Sequence, residues 1–115
     1  MTLFRADPGA LDTTRTILTT AGVTTALPSD PNNPQSIAKI RIVNMHTADV
    51  RATVDIFDGI TGYVLANNRL IVTGDALEIY DEQLARDESL RVQSNNAAGL
   101  LHVHILAGLA KRIGG

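Results

Sequence analysis

The alternation of apolar and polar residues over residues 37–58 constrains the fold more than any other feature of this sequence. Residues 37–45 read IAKIRIVNM, and residues 50–58 read VRATVDIFD. Because successive side chains of a β-strand point to opposite faces, this period of two predicts two strands with one buried face each. The polar stretch between them, residues 44–49, is long enough for a hairpin loop. The predicted buried faces hold Ala38, Ile40 and Ile42 in the first strand and Val50, Ala52, Val54 and Ile56 in the second.

Shorter alternating segments continue along the chain, with turn signals between them. The dipeptides Asp58-Gly59 and Gly74-Asp75 mark turns, because glycine accepts a positive φ at no steric cost. Residues 81–89 (DEQLARDES) are predicted as a polar connection with room for one turn of helix. Residues 10–22 fit a helical spacing, but their many β-branched side chains favour a strand. The further predicted strands lie at about residues 63–66, 70–73, 76–80, 90–94 and 100–107.

Seven to nine short strands with turns between them predict an all-β protein. The expected architecture is an antiparallel β-sandwich or jelly roll with an extended N-terminal arm. We expect an arm over residues 1–12, the β-sandwich domain over residues 13–110 and a basic C-terminal tail over residues 111–115.

Composition narrows the classes of function. The 115 residues make one domain, and the absence of cysteine excludes disulfides and thiolate metal sites. A net charge of −2 without a basic run argues against a nucleic-acid partner. The apolar segments are too short to cross a bilayer, and MTLFRADPG at the start is unlike a signal peptide, so we expect neither membrane attachment nor secretion by that route. Aromatic residues make up 3% of the chain, which predicts an aliphatic core and disfavours a small-molecule pocket.

The pair His102 and His104 is the main candidate for metal chemistry. Two positions apart on a predicted strand, the imidazoles point to the same face, and a metal site would need at least one further ligand. The residues after His104 carry no carboxylate, and His46 is distant in sequence. We therefore interpret both histidines as part of a half-exposed or interface face and keep them only as weak metal candidates. We expect no cofactor.

Catalytic motifs are absent from the sequence. It contains no G-x-S-x-G nucleophile turn, no phosphate-binding P-loop and no dinucleotide-binding G-x-G-x-x-G. The acidic stretch around residues 81–88 lacks the spacing of a calcium-binding loop and contains Arg86. No residue is therefore predicted to be catalytic, and we do not expect an enzyme.

Three segments carry a resemblance to a known class of proteins: KIRIVNMHTADVRATVDIFDGITGYVLA, then RLIVTGDALEIYDEQLARDESLRVQSN, then LLHVHILAG. Their order of strands and turns, over about residues 37–108, resembles small virion proteins of tailed bacteriophages. The proline-rich loop at residues 28–36 and the terminal KRIGG depart from the commonest form. The resemblance implies a non-enzymatic β-sandwich component of the virion and does not indicate its position on the particle. Among the possible positions, we expect a capsid decoration or cement protein. Neck, head–tail and tail-peripheral positions remain as alternatives.

A structural role would place binding at chain ends, loops and edge strands. We expect capsid or other virion proteins as partners and a homo-oligomer, either a ring or a trimer. The predicted partner-binding residues are Leu3, Phe4 and Arg5 in the arm and Ile60, Tyr63 and Leu84 in loops.

Two other functions remain open from the sequence. A receptor- or carbohydrate-binding sandwich is the first, although sugar sites usually stack a ring on Trp or Tyr, and this chain has no Trp and two Tyr. A metal-dependent jelly-roll enzyme built on His102 and His104 is the second.

Overall fold

The computed structural model describes residues 11–95 and 101–109, and every regular element in them is a β-strand. No helix in this part of the chain could span a membrane. The strands are β1 (Asp12–Leu18), β2 (Val23–Leu27), β3 (Gln35–Asn44), β4 (Val50–Phe57), β5 (Gly62–Ile71), β6 (Ala76–Leu84), β7 (Ser89–Ser94) and β8 (Leu101–Leu109). The prediction of an all-β antiparallel sandwich is confirmed, and so is the strand assignment over residues 12–18.

The first four strands pair with the last four in a nested order. β1 pairs with β8, β2 with β7, β3 with β6 and β4 with β5, all antiparallel. Two further pairings, β3 with β8 and β4 with β7, join these ribbons into two sheets. Sheet A has the order β1-β8-β3-β6, and sheet B has the order β2-β7-β4-β5.

The core between the sheets is aliphatic, as the composition predicts. Every buried hydrophobic residue of the described chain is Leu, Ile, Val or Ala. Burying one such side chain contributes on the order of 1.5–3 kcal/mol for the larger members of the set. The predicted inward face of β4 is confirmed, since Val50, Ala52, Val54 and Ile56 are all buried. In β3, Ile40 and Ile42 are buried as predicted. The prediction for Ala38 was wrong: Ala38 is only half-buried and Ile37 is buried instead, because the register against β8 shifts between Ile37 and Lys39.

Three further local predictions were wrong. Residues 44–49 do not close a hairpin, because β3 lies in sheet A and β4 in sheet B. The two strands predicted at 63–66 and 70–73 form one strand, β5. The polar residues between them stay in this strand because its register against β4 shifts and Asn68 adopts a positive φ of 48°. The connection predicted at 81–89 is limited to residues 85–88, because β6 continues to Leu84, pairing with β3 along its length, and β7 begins at Ser89.

Asn44, the last residue of β3, organises the crossing from sheet A to sheet B. Its side chain is fully buried, and its amide nitrogen donates to the carbonyls of Ala48 (2.9 Å) and Ile71 (2.8 Å). Its side-chain oxygen accepts from the backbone N–H of His46 at 2.8 Å. Since a buried amide is stable only when hydrogen-bonded, Asn44 fixes both the β3–β4 crossing and the end of β5.

Candidate partner-binding surfaces

The turn between β4 and β5 presents an apolar tip. The carboxylate of Asp58 accepts the backbone N–H groups of Ile60 (2.8 Å) and Thr61 (2.7 Å), and these bonds lower the pKa of Asp58, with Thr61 contributing most. Gly59 adopts a φ of 101°, which a side chain would strain. This bonded turn holds Ile60 outward with 91% of its surface exposed, and Tyr63 and Val64 follow it with about half of theirs exposed. We call Ile60, Tyr63 and Val64 the hairpin tip.

The outward side of sheet A gathers cationic and titratable side chains in one row. Arg15 on β1 lies opposite His104 on β8, His104 lies opposite Arg41 on β3, and Arg41 lies opposite Glu78 on β6. Neighbouring strands are about 4.8 Å apart, so the backbone positions of the two arginines are roughly 10 Å apart. His102 and Lys39 lie in the adjacent rows of the same side. We call the surface formed by Arg15, Lys39, Arg41, His102 and His104 the basic face.

The charges of the basic face are balanced on one side only. Glu78 accepts an ion pair from Lys39 at 3.0 Å and lies 3.8 Å from the Arg41 guanidinium. Hydrogen bonds from Lys39 and then Tyr80 lower the pKa of Glu78. Arg15, at the opposite edge of the sheet, forms no ion pair with any carboxylate of the described residues. The cationic side chains of the basic face therefore outnumber the carboxylates that form ion pairs with them among the described residues, and the unpaired cationic group lies on β1.

The environment of His104 disfavours its charged form. Partial burial lowers its pKa from the ordinary value of 6.5, and the positive charges of Arg15, His102 and Arg41 lower it further. A shallow depression of about 400 Å³ opens over His104. Its lining consists of Thr13, Arg15, Lys39, Arg41, Val43, His104 and Leu106.

The predicted geometry of the histidine pair is confirmed, since His102 and His104 share the outward side of β8 and are half-buried. The described part of the chain brings no third His, Asp or Glu close enough to complete a group that could hold a metal ion. The side chains opposite His104 are arginines, which supply no lone pair to a metal.

The outward side of sheet B is organised differently. Asp55 on β4 accepts two hydrogen bonds from Arg91 on β7, from Nε at 2.9 Å and from Nη2 at 2.6 Å. The guanidinium also stacks 3.8 Å from the ring centre of Phe57. Gly62 on β5 leaves room for this arrangement, because a Cβ at that position would overlap Asp55 Oδ2 and approach Arg91 Nη2 to 2.9 Å. We call Asp55, Phe57, Gly62 and Arg91 the paired face.

The predicted partner-binding residues have different outcomes. Ile60 and Tyr63 are exposed together at the hairpin tip, and their role in binding stays a prediction. Leu84 is wrong as a surface residue: it is the last residue of β6 and is fully buried in the core. Leu3, Phe4 and Arg5 lie outside the described residues, as do the tail over 111–115 and all but the last two residues of the predicted arm. Of those two, Asp12 belongs to β1.

The sequence alone did not predict that Arg15, Lys39 and Arg41 lie beside the two histidines on neighbouring strands. Lys39 and Arg41 were recognised as the polar side of one strand, but their neighbours in the sheet depend on β8 inserting between β1 and β3. The nearest signal in the sequence is that basic residues and histidines occupy the outward positions of three separate strands, TTRTI, AKIRI and LHVHI.

Comparisons with known proteins identify the fold. No model of a protein family matches the sequence, and no curated protein is significantly similar to it. Among solved structures, a chain in the acid-stable capsid of Helicobacter pylori bacteriophage KHP30 matches with a TM-score of 0.58 and 10% identity, over 90% of this chain and 88% of that one. The nucleoplasmin-like N-terminal domain of Drosophila FKBP39 matches with a TM-score of 0.51 and 9% identity, over 95% and 98%.

A pentameric capsid protein from metagenomic phage sequences is 23% identical, with a TM-score of 0.47. The match covers 90% of this chain but only 63% of that one, so the chain spans about two thirds of the length of this capsid protein. At these levels of identity, the two matches with TM-scores above 0.5 establish a shared β-sandwich fold.

Proposed function

We propose that this chain is a non-enzymatic structural component of a bacteriophage particle, of the tailed-phage type that its sequence resembles. The observation that carries the proposal is the β-sandwich formed by nested strand pairing, which matches a phage capsid chain over most of both proteins. Since a fold alone does not fix a function, the proposal also uses the surfaces of the molecule. Those surfaces are suited to holding neighbouring subunits.

The nested pairing supports a jelly-roll form of the sandwich. A jelly roll places eight antiparallel strands in two sheets and is common in viral capsid domains. Here the pairs β1–β8, β2–β7, β3–β6 and β4–β5 divide eight strands equally between two sheets.

The edge strand β1 is the best-formed edge for a neighbour to pair with. Within the described residues, the other three edge strands are less regular: β2 and β5 have register shifts against their partners, and β6, although it pairs with β3 along its length, has a positive φ of 59° at Asp81. β1 pairs with β8 without a shift from Asp12 to Leu18. An exposed, regular edge offers free backbone groups to another strand, and interruptions discourage such pairing.

The hairpin tip supplies a second point of attachment in this proposal. Ile60, Tyr63 and Val64 expose apolar surface on a turn that is fixed by the Asp58 hydrogen bonds. A rigid apolar projection loses little conformational entropy when it is buried against a partner. Together, β1, the predicted arm before it and the hairpin tip fit a protein that bridges subunits, and identical copies would close into a ring or a trimer.

Capsid decoration is the position that we propose within the particle, with the neck or tail periphery as the alternative positions. Locating the chain in purified particles by electron cryomicroscopy tests both statements. Density for the chain at many sites over the shell is expected. A single ring at one vertex or at the tail would overturn the decoration role and keep the virion role. Absence from particles that are otherwise complete would overturn the virion role itself.

The attachment surfaces are tested by particle association of purified variants. Replacing Ile60 by Ser, or deleting residues 1–10 while retaining β1, is expected to reduce association and leave the circular dichroism spectrum unchanged. Met45→Ser is a matched control, because Met45 is 54% exposed and lies beyond the opposite end of β4. Equal loss in the control would show that the hairpin tip has no special part in binding.

A further inference from the structure

The basic face has unsatisfied cationic charge in a chain whose overall charge is negative. The formal net charge is −2, whereas Arg15, Lys39 and Arg41 of the basic face have ion pairs with one carboxylate among the described residues, that of Glu78. Lys39 and Arg41 share that carboxylate, and Arg15 forms no ion pair within the described residues. Such a local excess of cationic groups attracts anionic ligands even when the whole molecule repels them.

The depression over His104 adds a shape and a chemistry to this charge. Guanidinium groups from β1 and β3 flank it, so hydrogen-bond donors reach it from two sides. The hydroxyl of Thr13 and the apolar side chains of Val43 and Leu106 complete its lining. Arginine presents paired N–H groups that match a carboxylate, and the apolar lining suits the methylene groups that carry such a carboxylate in Asp or Glu.

The geometry points to an acidic segment of a neighbouring protein chain as the ligand of the basic face, bound more tightly as His104 becomes protonated. This inference rests on the proposed structural role, because that role supplies a protein neighbour. It assigns a partner chemistry to a surface that the attachment through β1 and the hairpin tip leaves unused.

Nucleic acid fits the basic face less well than a protein segment does. Tyr80 on this side of sheet A donates its hydroxyl to Glu78 at 2.9 Å, and the Lys39 ammonium lies 5.6 Å from the centre of its ring, so one face of the ring is already in contact with a cation. Glu78 also places a negative charge beside the site. The two arginines are only roughly 10 Å apart across the strands, which is a short basic surface compared with a groove that follows a nucleic-acid backbone. The sequence pI of about 5.8 is likewise unlike that of a nucleic-acid-binding domain.

Protonation of His104 is expected to strengthen the binding of an anion because of the charged groups that face this imidazole. The charged and titratable groups that face His104 are Arg15 on β1, Lys39 and Arg41 on β3, His102 on β8 and, beyond them, Glu78 on β6. In the free protein the cationic neighbours oppose protonation of His104. A bound carboxylate offsets that repulsion, so binding and protonation favour each other by linkage.

The test is fluorescence anisotropy of a labelled octapeptide of alternating Asp and Glu, titrated with the full chain at low salt. Its isosteric Asn and Gln counterpart is the neutral control. The acidic peptide is expected to bind, more tightly at pH 5.5 than at pH 7.5, and more weakly as salt is added. Its own carboxylates stay largely ionised over this range, with ordinary pKa values of about 4.

Two substitutions assign the binding to the basic face. Arg15→Gln is expected to weaken binding about fivefold, whereas Arg69→Gln, which removes an equal charge from exposed β5, changes it less than about twofold. His104→Gln is expected to reduce the difference between the two pH values.

The outcomes that overturn the inference are equally specific. They are no binding of the acidic peptide at low salt, equal weakening by Arg15→Gln and Arg69→Gln, or tighter binding of a single-stranded oligonucleotide of the same charge that depends on Arg15. The peptide assay uses the isolated chain, whereas the virion role is tested on particles. Failure in one experiment therefore leaves the result of the other intact.

Discussion

The paired face and the basic face, on the two outward sides of the sandwich, differ in how their arginines are paired. On the paired face, Arg91 is matched to Asp55 by two hydrogen bonds and covers the ring of Phe57. On the basic face, Arg15 forms no ion pair within the described residues, and His104 lies among cationic groups. The paired face satisfies the charge of its arginine with a carboxylate, whereas the basic face leaves Arg15 available to a partner.

This difference indicates two roles for charged side chains: one group stabilises the fold, and the other is available to bind a partner. A bidentate, half-buried pair holds neighbouring strands together and gains little from solvent or partners. An arginine without a carboxylate adds little to folding, because water already solvates it, but it adds to the binding of an anion. The two faces should therefore respond differently to substitution.

The largest expected effect comes from breaking the paired face. Asp55→Ala leaves the half-buried guanidinium of Arg91 without its carboxylate, and we expect the free energy of unfolding to fall by about 2 kcal/mol. Urea denaturation followed by circular dichroism measures this change. A loss below about 0.5 kcal/mol would mean that the pair behaves as an ordinary surface ion pair.

Gly62→Ala tests the same face through its packing. The new Cβ would overlap Asp55 Oδ2, so the carboxylate must move and its geometry with Arg91 deteriorates. We expect a loss of about 1 kcal/mol. Gly22→Ala is the control, since its Cβ would meet only Thr20 Oγ1 at an ordinary 3.4 Å. Thermal denaturation of both variants decides the point, and equal changes would contradict the proposed crowding at Gly62.

A smaller, pH-dependent effect is expected on the basic face. The pKa of His104 is lower in the folded chain than its ordinary value of 6.5, so the unfolded chain binds more protons as the pH falls through that value. The stability contributed by a neutral His104 is therefore present at pH 7.5 and is progressively lost towards acid pH. Urea denaturation at pH 7.5 and 5.5 should show a larger decrease for the native chain than for His104→Gln. Parallel decreases would show that other groups cause the pH dependence.

The smallest expected effect on stability is that of Arg15→Gln. Because the guanidinium is exposed and forms no ion pair within the described residues, we expect the free energy of unfolding to change by less than about 0.5 kcal/mol. Urea denaturation checks this value. A decrease similar to that of Asp55→Ala would place Arg15 among the structural residues and remove the contrast between the two faces.

The strands were predictable where the alternation was strict, and less so where it was broken. Residues 50–56 alternate without exception, and the inward residues of β4 were identified correctly. In β5, Asn67, Asn68 and Arg69 resemble a turn, but pairing with β4 and a positive φ at Asn68 keep them in one strand. A local polar run carries no information about the long-range partner that overrides it.

The candidate surfaces were predictable to different degrees for a similar reason. Ile60 follows an Asp-Gly turn, so its exposure can be inferred from its immediate neighbours. Leu84 was misplaced because the polar residues around it hid a strand whose inward positions complete the core. The basic face depends on which strands become neighbours, and periodicity within a strand does not determine that order.

The pairing of β1 with β8 has a consequence for how this protein is made. As the ribosome releases the chain, β1 cannot complete its pairing until the residues of β8 from Leu101 to Ala107 have emerged. Contacts that are so distant in sequence also slow folding and leave apolar segments exposed during synthesis. A translation product that ends before β8 would thus lack the strand that joins β1 to β3 in sheet A.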